Sequence, residues 1–384
     1  MSIIMAVNEL VDNQCRVNHL LDIARRRQLQ VDGMDVSRLT EALDALVPEI
    51  LELCKAPGMS IALGADDRVV WANGYGYDAK PYTAVAAMQL VERGLIDLDD
   101  PVNKHLGDLH ITNPHGRREI TQRDLLTHRS GLGTDLGFCD RVPPAPLGDL
   151  LRQVFAAGRT DAYGGGVLPL WATPVGTHYQ YSNLGIALVG YLVERLNPDR
   201  VPFCDWVRRH LFAPLRMTST CFPPAQHPDH VPADLLARRS TGYATLGGYQ
   251  FRLPQIYAGA YPAGTALTTP SDHARFLLAM AGGGRLGDAS ILEPDTATLM
   301  VRPQAPNGPD PSSATGLVWN VFHHGAPPAT SATVASTCGA GTRSPASGPR
   351  RASPSPPRST SGTSAIRAPP NAPATSPAGS CWAS

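Results

Sequence analysis

Several absences narrow the function before any motif is read. No stretch approaches the roughly 18 consecutive apolar residues that a bilayer span needs, so no transmembrane helix is expected. Neither sign of charge is in excess, with 33 Lys and Arg against 33 Asp and Glu, which removes the electrostatic ground for nucleic acid or an anionic membrane as partner. The seven cysteines are scattered, without C-x-x-C or metal-ligand spacing. Free thiols in a reducing compartment are therefore expected, with no metal or cofactor. The opening M-S-I-I-M-A-V is too short for a secretory apolar core before Asn8 and Glu9, which points to a cytoplasmic location. Finally, residues 325–384 contain no Asp, Glu or Lys, and their only large apolar residues are Val334, Ile366 and Trp382. Such a segment cannot bury enough surface to offset its ordering entropy.

The rest of the chain is richly patterned. Residues 37–54 read as a helix with a break at Pro48. Apolar runs at 57–63 and 68–76 flank Ala65, Asp66 and Asp67, which predicts a β-hairpin. Lys80 then opens a helix: Ala84, Ala87, Met88, Val91 and Leu95 share one face, Gln89, Glu92 and Arg93 the other, and Gly94 stops it. Asp97, Asp99 and Asp100 before Pro101 form a turn signal. A Gly- and Pro-rich loop is expected from Gly131 to about Thr177. Tyr181-Ser182-Asn183 leads into a second helix with Ile186, Val189, Leu192, Val193 and Leu196 apolar. Thr269, Pro270 and Asp272 spell the start of another, as N-cap, N1 and N3.

In order, the stretches at 80–106, 120–132, 178–196, 203–220, 261–280, 291–300 and 316–322 resemble the serine β-lactamase superfamily: β-lactamases, penicillin-binding D,D-peptidases and related esterases. The resemblance implies an α/β fold in the broad (α+β) sense, an antiparallel sheet flanked by helices with an inserted helical region. It divides the chain into an N-terminal extension (1–36), an incomplete β-lactamase-related domain (37–322) and a low-complexity tail (323–384). The tail starts where the family has its last strands and its K-T-G or H-x-G motif, and its composition suits an out-of-frame segment. His323-His324-Gly325 is read as a hairpin turn, because it follows the preceding strand too closely to be that motif.

By resemblance the chemistry is acyl transfer on an amide or ester through a serine acyl-enzyme, without metal or cofactor, on a small-molecule or peptide substrate. Lys80 matches the lysine of the S-x-x-K motif, as base or proton relay. Tyr181 matches its partner and the proton donor to the leaving group, and Asn183 the group that orients lysine and substrate. The serine is missing: Tyr77 stands three residues before Lys80, and a loop of roughly twenty residues that the family places before this helix is shortened to three. His128 and Ser182 are read as structural. The expectation is a serine hydrolase with impaired catalysis, the alternatives being a non-catalytic binding protein that uses the remnant cleft and a damaged, non-functional product.

Overall fold

A computed structural model of the chain describes residues 3–8, 60–65, 68–73, 79–133, 145–161, 167–223, 231–237, 243–246, 249–252, 259–306, 313–323 and 333–337. They all fall in a unit spanning Met1–Thr342, and Arg343–Ser384 form a second unit. The helix expected over 37–54, Tyr77, and His324 with Gly325 lie outside the described residues.

Helix α1 (Lys80–Glu92) is buried around its whole circumference from Lys80 to Leu90. The spacing of its apolar residues predicts one buried face with Gln89 opposite, and here the structure differs. Gln89 is buried, and its Nε2 donates to the carbonyls of His210 (2.8 Å) and Ile291 (3.0 Å). Backbone acceptors on neighbouring segments replace water for the amide N–H groups, while Oε1 has no partner among the described residues. Leu95, expected to extend the apolar face, is instead exposed. The reason is the helix end: Gly94 takes φ +67, its N–H donates to Val91, and the Leu95 N–H donates to Leu90. That paired closure is the Schellman arrangement, and it turns the chain outward one residue before Leu95.

Before α1 come three antiparallel strands, β1 (Ile3–Asn8), β2 (Ser60–Ala65) and β3 (Arg68–Asn73), in that spatial order. The β2–β3 pair is the hairpin legible in the sequence, with a register shift between Leu63 and Gly64. β1 comes from the N-terminal extension, which had no expected counterpart in the fold.

After α1 the chain forms α2 (Gln122–Leu126), α3 (Leu147–Ala157) and α4 (Asn183–Leu196). The first of these has a reciprocal cap that the sequence reading did not pick out. Thr121 Oγ1 accepts from the Asp124 N–H, while the Asp124 carboxylate accepts from the Thr121 N–H. Helix α4 packs on α1, α2, α3 and α5 (Phe203–Val207), which runs on into a π turn over Arg208–Phe212. It also packs on the single turn α7 (Tyr261–Gly264), which α6 (Ala233–Ala237) precedes.

Helix α8 (Pro270–Ala281) lies against β1, β2 and β3 and starts where the sequence predicts, with Thr269 Oγ1 accepting from the Asp272 N–H. The Asp272 carboxylate, however, accepts from the Ser219 N–H and from Thr220 Oγ1, tying the helix start to the preceding loop.

Small hairpins join β4 (Arg159–Asp161) to β5 (Val167–Pro169), β6 (Tyr243–Leu246) to β7 (Tyr249–Arg252), and β8 (Arg285–Leu286) to β9 (Ala289–Ser290). Helix α9 (Pro294–Val301) leads to a four-stranded antiparallel sheet, β10 (Ala305–Pro306), β11 (Ser313–Thr315), β12 (Trp319–His323) and β13 (Thr333–Thr337). The pairing of β12 with β13 carries the sheet beyond residue 323, where the tail was expected to begin.

Between the helices and α8 sits an aromatic core. Tyr82 meets Phe212, Phe222 and Phe276 edge-on, with ring centroids 5.2, 6.3 and 4.7 Å away. Its hydroxyl is hydrogen-bonded to His273 Nδ1 at 2.7 Å, so the one polar atom of the cluster is satisfied.

Candidate active site

The sequence places a lysine at the first position of a helix, where the macrodipole opposes a positive charge. Two groups compensate. The Lys80 ammonium donates to the Ala263 carbonyl at 2.6 Å, and it sits 4.8 Å from the centroid of the Tyr181 ring. Thr83, one turn on, donates to the neighbouring Pro262 carbonyl at 2.6 Å. The exposed surface of a helix start would leave such a lysine in water; here it is buried. Both acceptors belong to α7, held in turn by α4: a Cβ on Gly190 would come within 2.4 Å of the Pro262 ring, so only glycine lets the two elements approach this closely.

Tyr181 and Asn183 arrive together from the start of α4. Ser182 is its N-cap, accepting from the Gly185 N–H at 3.0 Å and donating to the Gly133 carbonyl at 2.8 Å. It is fully buried and structural, as expected. Asn183 opens the helix, buried, and its Oδ1 has no hydrogen-bond partner among the described residues. An unpaired buried amide oxygen is costly, and such atoms mark places where a ligand or solvent completes the bonding.

His128 lies behind Tyr181, with ring centroids 4.8 Å apart. Burial, with the Lys80 charge as the lesser cause, pushes its imidazole down to about 3. It is therefore neutral at physiological pH and unable to serve as a protonated acid there. The structure thus brings Lys80 and Tyr181 into contact, and adds three contributors that the sequence reading missed: the carbonyls of Pro262 and Ala263, and Thr83. Backbone acceptors leave no trace in a sequence.

Residues 74–79 read Gly-Tyr-Gly-Tyr-Asp-Ala and hold no serine. Ala79 is the N-cap of α1, without a side-chain cap, so the described helix begins at the lysine itself.

The sequence profile of the β-lactamase family matches residues 43–344. The chain belongs to the β-lactamase family. Among its relatives, protein flp of Staphylococcus aureus (strain MW2) is 25% identical over 204 residues, covering 47% of this chain and 38% of flp. The uncharacterized protein MT1414 of Mycobacterium tuberculosis (strain CDC 1551 / Oshkosh) is 28% identical over 247 residues, 58% of this chain and 56% of that protein. The chain therefore spans less than two thirds of these relatives. Among solved structures, the octameric penicillin-binding protein homologue from Pyrococcus abyssi superposes with a TM-score of 0.58 at 23% identity, over 75% of this chain and 65% of that one. A class C β-lactamase gives 0.57 at 18% identity, over 77% of this chain and 78% of that one. These likenesses establish the β-lactamase fold: antiparallel sheet, flanking helices and a helical region between. Among the described residues no helix is long and apolar enough to cross a membrane.

Proposed function

We propose that this member of the β-lactamase family carries an acyl-hydrolase cleft without its nucleophile, so that it holds amide or ester acyl groups and turns them over weakly or not at all. The observation that carries the reading is the helix start: Lys80 stands at the first position of α1, and no serine occurs in the six residues before it. In this reading Lys80 is the family's base or proton relay, Tyr181 its partner and the donor to the leaving group, and Asn183 the orienting amide. The contact of Lys80 with the Tyr181 ring supports it, and so does the unpaired Asn183 Oδ1.

Tyr77 is no substitute. A phenol titrates near 10 and is a poor acyl acceptor at neutral pH. Nor does β13 (Thr-Val-Ala-Ser-Thr) spell K-T-G or H-x-G, so the family's second oxyanion and carboxylate-binding motif has no match on that strand. Loss of the nucleophile alone from a serine hydrolase costs on the order of 10^6 in rate.

The test is hydrolysis of a chromogenic cephalosporin and of a p-nitrophenyl ester by the purified chain. The expected result is no turnover above the spontaneous rate and no change on Lys80→Ala. Clear turnover that Lys80→Ala abolishes would contradict the proposal.

A further inference from the structure

His128 was set aside at the sequence level as structural, and its surroundings give it a more specific task. It follows α2, with its N–H donating to the Leu125 carbonyl at 3.2 Å and a left-handed φ of +56. From that position it meets the segment leading into α4 twice. The Gln180 N–H donates to the His128 carbonyl at 2.7 Å, and the Ser182 N–H donates to ring Nδ1 at 3.2 Å. The residue between those two anchors is Tyr181, whose ring lies 4.8 Å from the His128 ring and 4.8 Å from the Lys80 ammonium. Because Nδ1 accepts, the imidazole proton sits on Nε2, which is buried and has no partner among the described residues. A buried N–H left unpaired is the cost of using the other nitrogen as an acceptor.

We propose that His128 is the positioning residue of the cleft: its carbonyl and its Nδ1 together set the register of residues 180–182, which lays Tyr181 over Lys80 and starts α4 at Asn183. This rests on the reading that Lys80, Tyr181 and Asn183 form the cleft. His128 touches no reacting group; it acts through Tyr181. Burial keeps the ring neutral, so the acceptor persists across the physiological range.

The experiment uses the full chain with 3-fluorotyrosine incorporated at position 181, and reads the shift of its fluorine resonance on Lys80→Met. In the parent, loss of a cation 4.8 Å from the ring moves the resonance. His128→Asn keeps an acceptor near the Nδ1 position and tolerates a positive φ. His128→Leu keeps bulk without an acceptor, and His128→Gln carries its amide one bond further out.

The expected result is that the Lys80-dependent shift survives in His128→Asn and falls at least twofold in His128→Leu and His128→Gln. A parental shift in either of the last two overturns the proposal, and His128→Gln carries the test if His128→Leu gives no cooperative melt. Thermal stabilisation by benzylpenicillin tests the cleft separately. Absence of stabilisation with the fluorine pattern intact contradicts the cleft and leaves the positioning role standing. A parent whose resonance ignores Lys80→Met overturns both.

Discussion

Two histidines show what burial does to a single residue. His128 and His273 are both buried, and desolvation lowers them from 6.5 to about 3 and about 4. Well above pH 6.5 they are neutral in the folded and the unfolded chain and contribute little pH dependence. As pH falls below 6.5, the unfolded chain takes up two protons that the folded chain refuses, so stability drops toward pH 4 by up to about 2.7 kcal/mol per pH unit. Glu194 works in the other direction, because burial raises its carboxyl and the folded state gains that proton first. Over the part of the range where it titrates, the slope eases toward about 1.4 kcal/mol per pH unit. Urea unfolding midpoints measured from pH 7.5 to 4.5 should fall continuously below 6.5; a flat profile from 7 to 5 would mean that neither ring is buried as described.

The residue scale also shows how much was legible. Arg216 adopts φ +53, a conformation that glycine takes without strain and that its own side chain does not announce. Ser182 was readable as structural, and its capping of α4 comes from the structure. The second contact of His128 was not readable, because it depends on a backbone angle that no pattern encodes.

At the scale of elements, three helix starts were readable, whereas the reciprocal Thr121–Asp124 cap of α2 was not. Lys80, Asn183 and Pro270 each begin the helix expected of them. Faces were less so. A helix buried all round and a surface helix share the same apolar spacing, and only the carbonyls of His210 and Ile291 show why Gln89 can point inward. Helices α4 and α7 approach closely at Gly190. Gly190→Ala would push the Pro262 ring away and with it the carbonyls that hold Thr83 and Lys80. An overpacked contact of this kind costs about 1–3 kcal/mol. Chemical denaturation should show that loss, and an unchanged midpoint would mean that α7 is not seated against α4.

For the molecule as a whole, the family and the fold were legible because the motifs recur in the right order from Lys80 to the strand at Trp319. The limits of the fold were harder to read. Composition marks where a chain stops being able to build a core, but a single strand adds to a sheet through backbone hydrogen bonds, which composition does not govern. Thr333–Thr337 pairs with Trp319–His323 on that basis, and Ile3–Asn8 pairs with Ser60–Ala65 in the same way.

What the described residues hold is a buried helix that starts at its lysine, with the Tyr181 ring against the ammonium. The most direct test is to incubate the purified chain with a fluorescent penicillin and measure intact mass and in-gel fluorescence after denaturation. The account predicts an unmodified mass and no covalent fluorescence. A stoichiometric acyl adduct that survives denaturation and maps to any side chain would show that a nucleophile is present after all.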